Sequence, residues 1–314
     1  MKLKVIPLLA VLIIMILVLP SLLPSAVALK SASFTPNYIK FATPNPSFEN
    51  EMKGWNTRLK GKDKITGVNQ AYTGKRCIEF IFLNRSEIFL GEPTEYLPLN
   101  DTLVLSFAVK DLKPIEEGSA YLEVDTLVFW SWKKIIPIHV IIGLNESSDF
   151  TRVELDKSGI YLFRGYNASD SWVEYRLRLG SLTMRKLLAE FLIKYENETF
   201  ASPEDEYLVR FLYLRPRNLE GYLDNVGIGY LTPSLVTLNF DSLSLIPMSF
   251  FVSSVSSNGQ HRSFEVSGSY SFSITFVEPL LIPSSGLFNV TVAFSTGQVI
   301  KAEVKVAQEG VIWI

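Results

Sequence analysis

The sequence has one cysteine among its 314 residues, and this scarcity limits how the chain is stabilised. Cys77 has no second cysteine with which to form an intramolecular disulfide, so size and packing have to replace that cross-link. Residues 76–82 alternate apolar and polar side chains, and this pattern predicts a strand in which Cys77 fills a core position.

Histidines and recognisable catalytic motifs are also scarce. There are two histidines, His139 and His261, and the apolar surroundings of His139 predict a buried core imidazole. The sequence has no G-x-S-x-G, H-E-x-x-H or C-x-x-C motif and no phosphate-binding glycine loop. We therefore do not expect an enzyme. A glycoside hydrolase stays open as the last-ranked alternative, since it requires only two suitably spaced carboxylates and no other motif.

The chain lacks a long run of charge of one sign. It has 30 basic and 32 acidic residues and a net charge of −2. A nucleic-acid-binding protein needs a basic surface, so this balance argues against nucleic acid as a partner.

The N-terminus holds the longest apolar run of the chain. Lys2 and Lys4 precede apolar residues 5–19, and small residues follow at 26–28. This order predicts a secretory signal peptide over residues 1–28 and localisation outside the cell or at its surface. The alternative is an uncleaved N-terminal membrane anchor, because residues 5–23 approach the length of a membrane span.

Possible glycosylation sites support export. Six N-x-[ST] sequons predict a glycosylated surface, and they lie at Asn84, Asn100, Asn145, Asn167, Asn197 and Asn289. The chain has few glutamines and many Leu, Ile, Val and Phe residues, a composition that resembles surface proteins of hyperthermophilic archaea.

Short alternating segments predict an all-β fold. They occupy residues 76–82, 102–109, 173–179, 207–215 and 222–230. Within 173–179 the alternation predicts that Val173, Tyr175, Leu177 and Leu179 point inward and that Glu174, Arg176 and Arg178 point outward. Residues 181–195 instead have apolar side chains at three- and four-residue intervals after Ser181, which predicts one inserted helix with Ser181 as its cap. After residue 233 further strands, including a hairpin around Gly297, predict a small immunoglobulin-like β-sandwich.

Two distant motifs bracket the larger domain. NPSFENEMKGW occupies residues 45–55 and predicts an opening strand, and EGYLDNVGIGY occupies residues 220–230 and predicts a closing strand. The pair resembles the ends of the galactose-binding-like jelly-roll carbohydrate-binding modules found in cellulases and xylanases. We predict a signal peptide over 1–28, an N-terminal extension over 29–42, this jelly roll over 43–232, and the immunoglobulin-like sandwich over 234–314.

The resemblance implies a structural calcium ion. In such modules the acids at the positions of Glu49 and Asp224 commonly help to bind Ca²⁺, and backbone carbonyls near Gly74 and Lys75 would complete the shell. Asn225 departs from the family pattern, since many relatives have a second Asp there. The alternative is that Glu49 is solvated and Asp224 bonds a turn.

Candidate sugar-binding residues combine flat aromatic rings with hydrogen-bonding groups. Alternation places Tyr121, Glu123 and Asp125 on one face of a predicted strand, and the remaining candidates are the aromatic residues Trp130, Trp132, Tyr166 and Trp172. The alternative for each is a place in the core or on an unrelated surface.

These observations favour a secreted, non-catalytic cell-surface protein that binds a polysaccharide or envelope glycan. The alternative is a self-assembling structural subunit of an archaeal surface layer or filament, in which residues 29–42 pair with an edge strand of a neighbouring copy.

Overall fold

The computed structural model describes residues 27–84, 86–90, 95–166, 171–242, 247–278, 285–307 and 311–314. In these residues the chain forms β-strands, one α-helix, α1 (Leu182–Tyr195), and one 3₁₀-helix (Met248–Phe251). The predicted all-β, β-sandwich fold class is confirmed. No helix in the described part of the chain combines the length and apolarity required to span a membrane.

The described residues contain the following strands in chain order. The first twelve are β1 (Val27–Thr35), β2 (Ile39–Phe41), β3 (Trp55–Arg58), β4 (Lys64–Val68), β5 (Cys77–Phe82), β6 (Glu87–Leu90), β7 (Leu97–Pro98), β8 (Leu103–Pro114), β9 (Tyr121–Trp130), β10 (Lys134–Gly143), β11 (Thr151–Asp156) and β12 (Gly159–Gly165). The others are β13 (Val173–Arg178), β14 (Tyr207–Arg217), β15 (Leu219–Leu231), β16 (Ser234–Ser242), β17 (Val252–Ser257), β18 (Gln260–Arg262), β19 (Phe264–Gly268), β20 (Ser271–Glu278), β21 (Ser285–Phe294), β22 (Val299–Ala307) and β23 (Val311–Trp313).

The chain forms two compact units, and neither is continuous in sequence. The jelly-roll unit comprises residues 39–232 and 310–314, and the small sandwich comprises the chain up to residue 38 and residues 233–309. These boundaries differ from the predicted ones, because strand pairing divides the predicted extension 29–42 between the units and assigns the last residues to the jelly roll.

The jelly-roll unit consists of two sheets that enclose one core. Sheet 1 has the order β11-β12-β10-β9-β14-β6-β3, with β7 also paired to β14. Sheet 2 has the order β23-β13-β8-β15-β5-β4, with β2 also paired to β15. The sheets bury alternate apolar side chains of their strands, among them Phe107, Val124 and Tyr175.

Strand β13 shows how the sequence pattern produces this packing. Val173, Tyr175 and Leu177 point into the core, as predicted. Glu174 and Arg176 point to the other face of sheet 2, also as predicted, but they are buried. The connection between β4 and β5 covers them, since the Tyr72 hydroxyl donates a hydrogen bond to Glu174 Oε2 over 3.1 Å.

The two bracketing motifs meet in space. The backbone N–H of Val226 donates to the carbonyl of Pro46 over 2.8 Å, and Phe48 and Trp55 are both buried. The predicted opening strand is wrong before Trp55, because residues 44–54 form successive turns. Asn45 holds these turns by donating from Nδ2 to the carbonyls of Glu51 and Lys53.

Helix α1 packs on the sandwich to which it belongs. Ser181 caps it by accepting a hydrogen bond from the backbone N–H of Met184 over 3.2 Å. Leu188, Phe191 and Leu192 are buried as the periodicity predicts, whereas Leu182 is exposed. The Tyr195 hydroxyl donates to the Leu155 carbonyl over 2.7 Å, which ties the helix to β11.

The small sandwich has one sheet in the order β1-β16-β20-β19 and another in the order β18-β17-β21-β22. The predicted hairpin β21–β22 is present, with Gly297 at φ +85°. Strand β1 pairs antiparallel with β16, and β2 pairs with β15. Residues 29–42 thus pair within their own chain through β1 and β2, and β1 is an edge strand of its sheet. The predicted pairing of this stretch with a neighbouring copy stays a prediction.

The start of β1 overlaps the predicted signal peptide. Val27 is buried in the small sandwich, and its carbonyl accepts a hydrogen bond from Gln298 Nε2. Residues 1–26 lie outside the described residues, and the signal peptide stays a prediction. Cleavage after Ala28 would remove Val27 from this core.

Candidate functional site

Three predicted residues share the outer face of sheet 1. Tyr121, Glu123 and Asp125 alternate along β9 with buried Leu122 and Val124. The neighbouring strand β10 places Gly143, Ile141 and His139 directly beside the three predicted residues, in that order. On the far side of β10, β12 places Phe163 beside Ile141 and Tyr161 beside His139.

These strands form the floor of a groove of about 540 Å³. Ligand pockets in proteins typically have volumes of about 300–1,000 Å³. The loop 145–150 closes one end of the groove, because the Gly165 N–H donates to the Phe150 carbonyl over 3.1 Å. A side chain at Gly165 would collide with the Ser147 carbonyl, so the loop can approach the strand only where a glycine stands.

Aromatic rings and guanidinium groups make up one wall. The Tyr161 ring stacks on the His139 imidazole with centroids 4.5 Å apart. The Arg152 guanidinium lies 4.4 Å from the centre of the Phe163 ring. Tyr121 is half-buried on the opposite side of the floor. A sugar ring in the groove would therefore meet flat π surfaces and hydrogen-bond donors together.

A network of charges lies at the floor. His139 Nδ1 lies 2.7 Å from Asp125 Oδ1 and 3.3 Å from Glu123 Oε1. Arg215 forms a close ion pair with Asp125 and approaches Glu123 to 3.8 Å. Burial alone would lower the pKa of His139, but the hydrogen bonds and charges of the two carboxylates outweigh burial and raise the pKa to about 9. His139 is thus a cation at neutral pH.

His139, Asp125 and Glu123 also place three ligand atoms within 4.8 Å of one another, as metal sites do. A metal ion would have to replace the His139 proton, since imidazole binds metals in its neutral form. Arg215 already occupies the other side of Asp125. The cations of the network balance its buried carboxylates without an ion, and so we do not assign a metal here.

The polar and aromatic surface continues across sheet 1 beyond the groove. Phe89 on β6 stacks on Tyr213 on β14 with centroids 6.0 Å apart, and Arg58 on β3 lies over Phe89. Arg215 Nε bonds Glu87 Oε1 over 3.1 Å. Four strand spacings separate β12 from β6, a distance of about 19 Å. This surface is long enough for a short oligosaccharide.

Trp130 and Trp132 lie at the other end of β9 from the groove. Trp130 donates from Nε1 to Asp205 Oδ2 over 2.8 Å. Trp132 is 64% exposed at the turn to β10, where it and Ser131 both have positive φ. Nine residue steps along β9 separate Trp130 from Tyr121, a distance of about 30 Å. These two predicted residues therefore do not join the groove.

The other two predicted aromatic residues are also elsewhere. Tyr166 is 8% exposed, and its hydroxyl accepts a hydrogen bond from the Leu112 N–H. Trp172 lies beside Tyr72, with ring centroids 6.0 Å apart, where it helps to cover sheet 2. The structure thus brings Tyr121 and Glu123 into the groove, with Asp125 buried beneath it.

The two predicted calcium ligands converge on one segment. Asp224 Oδ2 accepts backbone hydrogen bonds from Tyr72 and Thr73, and Glu49 Oε1 accepts them from Lys75 and Arg76. Burial raises the pKa of Asp224 to about 6 against the effect of these N–H groups, and the Glu49 charge adds to the rise. The N–H donors of Arg76 and Lys75 lower the pKa of Glu49.

This geometry meets one requirement for calcium and departs from another. Both carboxylates are close to residues 72–76, where the predicted ligands Gly74 and Lys75 lie. However, the segment turns N–H donors toward the carboxylates, whereas calcium needs six to eight oxygen ligands. In this arrangement the backbone supplies the positive partner that a cation would supply. Calcium therefore stays a prediction.

Five of the six sequons are on exposed side chains: Asn84, Asn100, Asn145, Asn197 and Asn289. Asn167 lies outside the described residues. Asn145 lines the groove, so a glycan at this position would compete with a ligand for space. Glycosylation itself stays a prediction.

Sequence reasoning missed most of the charged residues around the groove. The prediction of a core imidazole at His139 is wrong, because His139 alternates with buried Ile138 and Val140 and faces the groove. That alternation was visible in the sequence. Arg215 and Arg152 gave no such signal, since their places depend on which strands become neighbours.

The chain is similar to several solved structures. No protein-family model matches the chain, and no curated protein matches it. The structure of TmCBM61 in complex with β-1,4-galactotriose is 12% identical, with a TM-score of 0.33, 61% of this chain covered and 99% of that chain. The tandem CBM22 domain of Paenibacillus barcinonensis Xyn10C is 13% identical, with a TM-score of 0.29, 90% of this chain covered and 88% of that chain.

A third similar structure is the family GH12 endoglucanase 3 of Trichoderma harzianum. It is 8% identical, with a TM-score of 0.29, 66% of this chain covered and 96% of that chain. The sheet order and the core of the chain itself define the β-sandwich.

Proposed function

We propose that the protein is a secreted, non-catalytic, cell-surface protein whose jelly-roll unit binds carbohydrate in the groove on sheet 1. The observation that carries the proposal is the groove itself. It combines a suitable volume with Tyr121 and Tyr161 as aromatic surfaces and with Glu123, His139 and Arg152 as hydrogen-bonding groups.

The length of the polar and aromatic surface favours a chain of sugars. Beside β9 the same outer face of sheet 1 continues with Arg215 and Tyr213 on β14 and with Phe89 on β6. A polysaccharide or envelope glycan crossing the strands would contact several of these groups at once. We therefore expect affinity to rise with the number of linked sugars.

A binding role suits the floor better than catalysis. Glycoside hydrolysis needs one carboxylate that attacks or activates water and another that donates a proton. Asp125 is 2% exposed and is held by both His139 and Arg215, which leaves it little access to a substrate. The structural-subunit alternative stays a prediction, since the groove favours ligand binding and nothing among the described residues favours self-assembly.

Isothermal titration calorimetry with linear oligosaccharides of increasing length tests this proposal. The protein should come from bacterial expression without N-glycans, because Asn145 lines the groove. Tyr121→Ala removes one aromatic surface and should weaken binding about tenfold. Trp132→Ala removes an exposed aromatic ring outside the groove and should leave binding unchanged.

Two results would contradict the proposal. One is the absence of binding to every saccharide in a broad panel by the folded wild-type protein. The other is equal loss of binding in Tyr121→Ala and Trp132→Ala, which would place the ligand elsewhere or indicate a non-specific effect.

A further inference from the structure

The loop 145–150 crosses the strand ends at one end of the groove and is held on both sides. On the side of β12, the Phe150 carbonyl accepts a hydrogen bond from the Gly165 N–H over 3.1 Å. On the side of β9, Asn145 Nδ2 donates to the Gly118 carbonyl over 3.3 Å. A sugar chain that ran along the strands would meet this loop and could not continue past it.

The aromatic wall bounds the groove in the direction across the strands. The rings of His139 on β10 and Tyr161 on β12 have centroids 4.5 Å apart and lie within 17° of parallel. Neighbouring strands are about 4.8 Å apart, so rings stacked at this spacing stand upright on the sheet and do not lie flat on it. The Phe163 ring is also within 17° of the Tyr161 ring, with centroids 6.3 Å apart, and it extends the wall along β12.

Arg152 covers the outer side of this wall. It lies beside Phe163 on the edge strand β11, and its guanidinium is 4.4 Å from the centre of the Phe163 ring and 5.9 Å from that of Phe150. Glu154 pairs with Arg152 over 3.2 Å, which helps to hold the guanidinium in place. The wall and Arg152 thus occupy the path of a chain that would cross β12 toward β11.

We propose that the groove binds the terminal unit of a saccharide chain and does not bind internal units. An internal unit needs a path for the chain on both sides, whereas a terminal unit has a single linkage and fits against the loop and the wall. The remaining units would leave over β9 toward Arg215 and Tyr213 on β14. This inference rests on the proposed function of the groove and adds the part of the glycan that is recognised.

The number of protein molecules bound per saccharide chain tests the inference, because a linear chain has the same two ends whatever its length. Linear mannan, galactan, xylan and amylose serve as probes, each in a long and a short fraction of narrow size distribution. Calorimetry with the unglycosylated full chain measures the stoichiometry. Treatment of each fraction with borohydride opens the sugar ring at the reducing end and so distinguishes the two ends.

We expect the long and the short fraction of a bound polymer to bind the same number of protein molecules per chain. Halving the chain length doubles the number of ends per gram, so the protein bound per gram should double. Loss of binding after borohydride treatment would assign the reducing end, and unchanged binding would assign the other end. Either result agrees with terminal recognition.

Arg152→Ala removes charged hydrogen-bond donors beside the terminal unit. It should weaken binding of the disaccharide of the same polymer about tenfold. Arg58→Ala is the matched control, because Arg58 also lies over a phenylalanine ring, 5.0 Å from the centre of Phe89, and pairs with Glu87 outside the groove. This control should bind the disaccharide as the wild type does.

Two results would overturn the inference. One is a number of bound protein molecules per chain that rises with chain length, which would mean that internal units bind. The other is disaccharide binding that is unchanged in folded Arg152→Ala or equally weakened in Arg58→Ala. Binding of internal units that is lost in Tyr121→Ala would still support the proposed function. Failure of every saccharide to bind would remove both proposals.

Discussion

The two outer faces of the jelly-roll unit have similar residues but different surroundings. On sheet 2, buried Glu174 pairs with Arg176 over 2.8 Å, and Asp224 lies nearby under the segment that contains Tyr72. On sheet 1, Asp125 pairs with His139 and Arg215 under an open groove. Both faces thus hold charged groups that are paired within the protein.

What distinguishes the faces is what covers them. The β4–β5 connection supplies N–H and hydroxyl donors to the acids of sheet 2, so the protein itself satisfies that face. Among the described residues no segment covers the groove on sheet 1 in this way. Charged residues on a sandwich face therefore indicate a binding site only where the chain does not cover them.

The largest effect is expected from Asp224→Ala on the covered face. The substitution leaves the N–H groups of Tyr72, Thr73 and Asn225 without their acceptor, which should lower the free energy of unfolding by about 4 kcal/mol. Unfolding in guanidinium chloride, followed by tryptophan fluorescence, measures this loss of stability. All five tryptophans belong to the jelly-roll unit, so the signal reports that unit alone.

Asp224→Asn is the matched control, because an amide oxygen retains one acceptor and removes a charge that burial disfavours. A smaller loss than in Asp224→Ala is expected. Carbohydrate binding by the folded variants should be unchanged. A variant that stays fully stable, or one that loses binding while folded, would break the distinction between the two faces.

The next effect concerns the pH dependence of the open face. The folded pKa of His139 is about 9, above its ordinary value of 6.5. The protonated imidazole therefore adds to the free energy of unfolding. This contribution is fully present below about pH 6.5 and is lost as pH rises through about 9, a change on the order of 3 kcal/mol. Burial lowers this pKa, and the hydrogen bonds and charges of Asp125 and Glu123 raise it further than burial lowers it.

Tryptophan-monitored unfolding between pH 6 and 10 checks this expectation. His139→Gln should flatten the profile in that window. His261→Gln changes the other histidine, in the small sandwich, and should leave the jelly-roll profile as it is. Equal slopes in wild type and His139→Gln would contradict the ion network at the groove floor.

A calcium ion bound at Glu49 and Asp224 would make the covered face a ligand site as well. If calcium binds the folded state only, an excess of one hundred times its Kd should stabilise the jelly roll by about 2.7 kcal/mol. Unfolding in calcium and in EDTA measures this effect, and Glu49→Gln should abolish it. An unchanged midpoint would mean that the backbone N–H groups are sufficient partners.

The smallest effect is expected at the turn between β9 and β10, outside both faces. Ser131 and Trp132 have φ values of +48° and +60°, which favour Asn-Gly in such a turn. Replacing them by Asn-Gly should raise the free energy of unfolding by about 1 kcal/mol. Saccharide binding should be unchanged. Destabilisation would indicate that packing of Trp132 on Tyr96 outweighs the backbone strain.

Local patterns predicted much of the fold. Alternation placed Val173, Tyr175 and Leu177 in the core, and helical periodicity after Ser181 located α1. The same logic put Tyr121 and Glu123 on one face, which became part of the groove. It did not reveal that β1 pairs with β16 and β2 with β15, because strand pairing depends on which edges meet in the fold.

The sequence by itself determined which side of each strand its residues occupy, because side chains alternate with a period of two in any strand. It also determined the two bracketing motifs around the jelly roll. Only the tertiary structure decided which faces stayed open and which charges met. Glu174 and Asp125 sit on similar alternating strands, yet a loop distant in sequence covers the first, while His139 and Arg215 on neighbouring strands neutralise the second.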